Sequence, residues 1–325
     1  MKLPRRRFLH LAGGTAAFPT LSRFAWAQTY PTRPVRWIVA FAAGGSNDTT
    51  ARLIGQYLSD HFGQQFVIEN RTGAGGNLGM EAALNAAPDG YTIVFVGPNN
   101  AISATLYQNL PFDFIRDSVP IAGTMRLTNV LAVNLDVPAN NLAELIAYAK
   151  ANPGKINFGS GGIGTSPHLS GELFKAMTGI NMLHVPYRGD GPALVDLLAG
   201  QIQVVFNNLP SIIGHIKSGK VRALGVTAAQ RVAELPGVPA IGEVVPGYEA
   251  NVWYGIAAPK GTPSEIVERL NRAVNTVLAD PKLQARLAEL GGQPMPMTPA
   301  EFGQLVARET EKWGQVIRSA GIKAA

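Results

Sequence analysis

Short apolar, β-rich runs alternate with longer stretches whose apolar residues recur every three or four positions, through almost the whole chain. "VRWIVAF" from Val35, "FVIEN" from Phe66, "TIVFVG" from Thr92, "NVLAVN" from Asn129 and "INFGS" from Ile156 predict strands. So do "MLHVPY" from Met182, "IQVVFNN" from Ile202, "VRALGVT" from Val221 and "WYGIAAP" from Trp253. Strands spaced by helices argue for an α/β fold with mainly parallel sheets.

The helices have legible starts. Asp48 is placed to cap the first, with Ala51, Leu53, Ile54, Tyr57 and Leu58 facing inward. Asn141 and Glu144 resemble a capping box ahead of Leu142, Leu145, Ile146 and Ala149. Ser166 followed by Pro167 reads as an N-cap with proline at the first helical position, and Leu169, Leu173, Phe174 and Met177 form the stripe to be buried. The C-terminal region is largely helical, from "TPSEIVERL" and "TPAEFGQLV" onward. With no internal repeat and no long linker, two α/β domains joined by crossing segments fit better than two separate units.

The N-terminus changes the picture of charge. "MKLPRRRFLHLAGGTAAFPTLSRFAWA" has a basic start, a short mildly apolar middle and a small-x-small site ending at Ala27, the pattern of a removable export signal. Arg5, Arg6, Arg7, Phe8 and Leu9 fit the twin-arginine type. A membrane anchor would need about 18 uninterrupted apolar residues, and Gly13, Gly14, Pro19 and Arg23 interrupt this stretch. The expectation is a periplasmic protein beginning near Gln28. The formal charge of +6 counts 28 basic and 22 acidic residues, and five of the basic ones lie in the signal. The remainder is close to neutral, without the electrostatic footprint of a nucleic-acid or membrane binder. The absence of cysteine rules out disulfides, thiolate metal sites and thiol nucleophiles.

Three glycine-rich or polar turns each follow a predicted strand and precede a predicted helix: "FAAGGSNDTTAR", "VGPNNAIS" and "GSGGIGTSPH". In open α/β sheets such turns lie at the carboxyl ends of the strands, where ligands bind. The third contains G-x-G-x-x-G at Gly159, Gly161 and Gly164. A dinucleotide site would also want an acidic residue closing the next strand, yet "MLHVPYRGD" ends in Tyr187 and Arg188, with Asp190 after a glycine. An anion cradle of another kind is the better reading, and a flavin- or nicotinamide-dependent oxidoreductase the alternative. Tyr187 offers an aromatic wall, and Arg188 is either a cation of the cleft or a surface partner of Asp190. The sequence lacks G-x-S-x-G, S-x-x-K and H-E-x-x-H. His168 and Glu172, four apart, read as a solvated helix pair, and His184 and His215 as ordinary strand and helix residues. No catalytic residue, cofactor or metal site is expected.

Taken together and in order, "PTRPVRWIVAFAAGGSNDTTAR", "ENRTGAGGNLGMEAALNAAPDGYTIVFVG", "INFGSGGIGTSPHLSGELFKAMTGI", "HVPYRGDGPALVDLLAGQIQVVFNN" and "WYGIAAPKGTP" closely resemble the periplasmic receptors of tripartite tricarboxylate transporters, the Bug family. The resemblance implies a two-domain type II periplasmic-binding-protein fold, a Venus flytrap that closes on a small organic carboxylate and passes it to membrane permease subunits. It implies domains of residues 28–127 plus 251–325 and 128–250, after a signal of 1–27, and a monomer. Carried onto this chain, the ligand contacts would be Ala43, Gly44, Gly45, Ser46, Asp48, Asn99 and Asn100 from one domain. Those from the other would be Ser160, Gly161, Gly164, Thr165, Tyr187 and Asn207. Two departures stand out: Ala40 and Ala42 replace prolines usual in the family, and "FNNLP" puts Asn207 where aspartate is usual. An amide there predicts a ligand without an amino group.

Overall fold

The computed structural model describes residues 30–107, 109–319 and 321–323; the expected export signal lies outside the described residues. The chain opens with β1 (Val35–Val39), α1 (Ser46–Phe62), β2 (Phe66–Asn70), α2 (Asn77–Leu84), β3 (Thr92–Val96), α3 (Pro98–Leu106) and a short α4 (Phe114–Asp117). A long strand, β4 (Ser118–Val133), carries it into the second half: α5 (Leu142–Ala151), β5 (Ile156–Ser160), α6 (Ser166–Thr178), β6 (Met182–Pro186), α7 (Asp190–Leu198), β7 (Val204–Asn208), α8 (Leu209–Lys217) and β8 (Arg222–Val226). It returns through β9 (Asn251–Pro259), followed by α9 (Ser264–Leu278), α10 (Pro281–Glu289), β10 (Gly292–Pro294) and α11 (Pro299–Ser319).

The apolar runs of β1 and β3 are buried on both faces, which requires helices on both sides of the sheet. Alternation then sorts their side chains. Trp37, Val39, Ile93 and Phe95 pack with Ile54 and Leu58 of α1 and Leu270 and Val274 of α9. Ile38, Val94 and Val96 face the opposite layer, against Met80 of α2 and Phe302 and Val306 of α11. The second half repeats the arrangement: Phe158, Val204 and Phe206 pack under α5 and α6, whereas Val130 and Val205 pack under α7 and α8.

The strands form one curled sheet in the order β2-β1-β3-β9-β4-β7-β5-β6, with β8 and β10 also paired to β4. The expectation of mainly parallel pairing holds only in the outer parts, where β1 joins β2 and β3, and β5 joins β6 and β7. At the centre the pairing is antiparallel, because β4 leaves the first half and β9 returns to it side by side, from Ser118 opposite Pro259 to Thr128 opposite Asn251. Beyond that pairing, the crossing segments are tied together around Thr227. Asn129 N–H donates to Thr227 Oγ1 (3.0 Å), Thr227 Oγ1 donates to the Ala250 carbonyl (2.8 Å), and Thr227 N–H donates to the Asn129 carbonyl (2.9 Å).

Local readings shift by a residue in places. Thr165, not Ser166, caps α6, its hydroxyl accepting from His168 N–H (3.4 Å); two adjacent hydroxyl residues make either a competent cap. Asp48 does not cap α1: Gly45 is the N-cap and Asp48 sits in the first turn. Asn141 does cap α5, but Glu144 reaches back to the Asn140 amide (2.7 Å), one residue beyond the N-cap amide of the usual box. On α6 Leu169 and Phe174 are buried, whereas Met177, in the last turn, is exposed. A small apolar cluster of Ile102 and Leu106 from α3, Leu169 from α6, and Trp313 and Ile317 from α11 joins the two halves.

Candidate ligand-binding cleft

The three turns do lie at the carboxyl ends of β1, β3 and β5, and they meet where the halves face each other. The first is held by Asp48, whose carboxylate accepts from Gly44 N–H (2.9 Å), Asn70 Nδ2 (2.9 Å) and Arg52 (2.9 Å). Burial alone would raise this carboxyl, but the Arg52 hydrogen bond, with those from Gly44 and Asn70, outweighs it and holds Asp48 below the ordinary carboxylate range. Asp48 therefore points back into its own loop. In the second turn, Asn100 Oδ1 accepts from Gly97 N–H (3.0 Å), and Asn99 is left toward the cleft.

The central glycine turn spends several donors on itself. Gly162 N–H donates to Ser160 Oγ (3.2 Å), Gly164 N–H donates to His168 Nδ1 (3.2 Å), and Thr165 Oγ1 donates to the Gly162 carbonyl (2.7 Å). Ser160 Oγ also pairs with His184 Nε2 (2.7 Å), and the rings of His168 and His184 stack with centroids 4.1 Å apart. His168 is thus not a solvated partner of Glu172; it is buried behind the turn, and Glu172 pairs with Lys175 (2.8 Å). The helical spacing of the two was right, but the sequence could not show that β6 covers that face of α6.

Burial lowers His168 to about 4, and burial with the neighbouring ring lowers His184 to about 3. Both are depressed from about 6.5, so their stabilising contribution is present above that pH and is lost as the pH falls toward the folded values. Relative to His184→Gln, the native protein is expected to lose on the order of 3 kcal/mol between pH 6.5 and 4, read from denaturant midpoints. An equal loss in both proteins would show that His184 is not the buried neutral base described.

Between the halves lies a narrow cavity of about 20 Å³, room for little more than a water molecule with the lobes together. Gly45, Asn99, Gly161 and Thr165, all anticipated from the sequence, line it. Ser46 stands just behind, its hydroxyl bonded to Asn208 and Tyr254. Ala43 and Gly44 are exposed at the rim, Asn100 and Ser160 brace their turns, and Gly164 packs near Leu106 and Tyr107. Tyr187 bonds Asp196 (2.7 Å) within its own half. Asn207 donates to the Asp190 carbonyl (3.3 Å) and is not a wall of the cavity. Arg188 makes no ion pair with Asp190: its side chain is exposed, while its carbonyl accepts from Ala42 N–H (3.3 Å) across the cleft.

The other nine wall residues escaped sequence reasoning as site residues, among them the polar Asn47, Ser166, Asp190, Asn208 and Tyr254. Asn208, next to the anticipated Asn207, had a signal in the strand ending "FNN", since adjacent strand residues face opposite sides. Tyr254 had none, reading as core within an apolar strand.

The starts of five helices, α1, α3, α6, α7 and α8, all contribute to the wall, and among the described residues no lysine, arginine or histidine does. Each helix start carries partial positive charge and amide donors. The wall thus offers dipoles and hydrogen-bonding groups suited to a small anion, without a cationic side chain and with Asp190 as its carboxyl.

The sequence pattern of the tripartite tricarboxylate transporter family receptor matches residues 50–322. The protein BugT of Bordetella pertussis is 37% identical over 300 residues, covering 91% of this chain and 92% of BugT. Among solved structures, Rpa4515 of R. palustris with adipate superposes with a TM-score of 0.88 at 38% identity, covering 90% of this chain and 99% of that one. MatC from Rhodopseudomonas palustris with bound malate superposes with a TM-score of 0.85 at 32% identity, covering 89% and 100%. With its two-lobed α/β fold and its cleft of converging helix starts, the chain belongs to the Bug family of tripartite tricarboxylate transporter receptors.

Proposed function

We propose that this protein captures a small organic carboxylate without an amino group, most simply an aliphatic dicarboxylate, and delivers it to the permease subunits of a tripartite tricarboxylate transporter without chemical change. The observation that carries the reading is the convergence of five helix starts on one cation-free cavity. Adipate and malate, held by two relatives of known structure, are plain and hydroxylated diacids and fit the same chemistry.

The receptor acts as a monomer in the periplasm after removal of residues 1–27. Its lobes are residues 28–127 with 251–325, and residues 128–250. They close about the knot of Asn129, Thr227 and Ala250, a hinge where the crossing segments pass between the halves. Ligand contacts come from Gly45, Asn47 and Asn99 in one lobe and Gly161, Thr165 and Asn208 in the other, with Asp48, Ser160 and His184 positioning the turns. The internal bonding of Gly162 and Gly164 speaks against a pyrophosphate cradle.

Thr165→Val removes the cap of α6 and the bond that shapes the glycine turn, each worth about 1 kcal/mol. Adipate, succinate and malate titrated by calorimetry should all bind about tenfold or more weakly to this variant than to the native protein. Unchanged affinity would remove Thr165 and its turn from the site.

A further inference from the structure

Among the described residues, Asp190 is the one carboxyl on the cavity wall. It opens α7 and is buried, with 6% of its surface exposed. Its carboxyl group accepts from the Ser211 hydroxyl of α8 (3.3 Å) and feels the pull of the backbone N–H of Ser46, at the start of α1 in the opposite lobe. One of its oxygens lies 2.9 Å from where a β-carbon on Gly161 would stand, so it lies flat against the glycine turn. Among the described residues it has no ion-pair partner. An uncompensated carboxylate thus sits inside a pocket otherwise built for an anion.

Two carboxylates sharing such a site cannot both stay ionised without a cation between them. We propose that Asp190 makes capture proton-coupled: the receptor takes up its carboxylate ligand together with one proton from solvent, shared between the ligand carboxyl group and that of Asp190. This rests on the carboxylate-receptor reading above and adds its protonation and its selectivity. No covalent bond other than that to the proton forms or breaks.

The surroundings favour the proton. Burial pushes the Asp190 carboxyl up to about 7, against the opposing pull of Ser211 and the Ser46 amide. The elements packed around it bring no cation. β7 presents the amides of Asn207 and Asn208, α8 presents Ser211, and β9 presents Tyr254, whose phenol is held well above its ordinary range by burial and by Asp190 itself. Asp48 on α1 is turned to Arg52, Arg188 is exposed, and His168 and His184 stand neutral behind the turn. The carboxyl that discriminates against amines is therefore Asp190 and not position 207: protonated, it donates to a carboxylate and gives an ammonium group no counter-charge.

The test is calorimetric titration of succinate, glutarate, adipate and glutamate between pH 6.5 and 8.5, in buffers of different ionisation heat. The tightest plain diacid should bind about tenfold more weakly for each pH unit above 7, with uptake of one proton. Asp190→Asn, whose amide donates at every pH, should bind the same diacid with little pH dependence. A pH-independent affinity of the native protein, or glutamate binding more tightly than glutarate at pH 8, overturns the proposal while leaving the receptor reading standing. Failure of every acid with both proteins at every pH overturns the receptor reading, and this inference with it. A ligand-free measurement stands beside these. The raised carboxyl stabilises the fold below about pH 4 and loses that contribution as the pH climbs through 7, so the midpoint of Asp190→Asn should rise relative to the native protein from pH 4 to pH 8. A flat difference counts against the proposal.

Discussion

Gly75→Ala is expected to leave the protein folded and to abolish most of its ligand affinity. Gly75 lies in a single helical turn, Ala74–Gly76, at φ +64°, and a β-carbon there would stand 2.2 Å from the carbonyl oxygen of Ile163. Gly75 and Ile163 belong to different lobes. The clash therefore arises only when the lobes are together, with Tyr107, which donates to the same carbonyl (3.2 Å), crowding the site further. Left-handed backbone costs alanine about 1–2 kcal/mol, a loss of several degrees in midpoint for a chain of ordinary cooperativity. Blocking closure costs more: the dissociation constant for a bound dicarboxylate should rise 100-fold or more, about 2.7 kcal/mol. Gly63→Ala is the control, since Gly63 has nearly the same φ, +65°, and open space around it. It should show a similar midpoint loss with unchanged affinity. If Gly75→Ala binds within threefold of the native protein, closure does not bring these two turns together.

Asn208→Ala should damage stability and binding at once. Its side chain is buried at the seam of the two lobes, where Oδ1 accepts from Tyr254 Oη (2.8 Å) and Ser46 Oγ (3.1 Å), and Nδ2 donates to Asn129 Oδ1. Truncation strands the buried Asn129 side-chain oxygen and takes from the Ser46 and Tyr254 hydroxyls the acceptor they share, leaving them each other, and a buried polar group without a partner costs about 1–3 kcal/mol. On the order of 3 kcal/mol of stability should be lost, together with at least 100-fold in affinity, because Asn208 also forms part of the cavity wall. Tyr254→Phe removes one bond of the same network and leaves Asn208 in place, so its losses should be smaller in both measurements. Equal effects from the two variants would mean that Asn208 is not the centre of the network.

The division between what could and could not be read from the sequence follows the range of the interactions. All nine runs read as strands are strands, because a buried parallel strand writes itself as a local apolar run such as "TIVFV". The first part of β4 was missed: "SVPIAGTMRLT" contains Pro120 and Gly123, and what holds it extended is pairing with β9 more than a hundred residues away. The three turns were legible because glycine and small polar residues between a strand and a helix have a local meaning. Their internal bonding was not, since whether Gly164 N–H faces a ligand or His168 depends on how α6 folds back. Asp190 read as a possible surface partner of Arg188 because the two are neighbours in sequence, whereas burial against Ser46 of the opposite lobe decides its chemistry. Tyr254 and Ser46 are 208 positions apart, and only the return of β9 to the first lobe joins them.

The central claim is that this cleft receives a small carboxylate and nothing larger. The most direct measurement is thermal unfolding of the protein, freed of carried-over ligand by unfolding and refolding, against mono- and dicarboxylates, amino acids, NAD and FAD. A ligand at 100 times its dissociation constant adds roughly 2.7 kcal/mol and moves the midpoint by several degrees. The expected result is a shift with plain or hydroxylated carboxylates and none with the dinucleotides. A shift with NAD or FAD alone would contradict the account and return the glycine turn at Gly159, Gly161 and Gly164 to the dinucleotide reading.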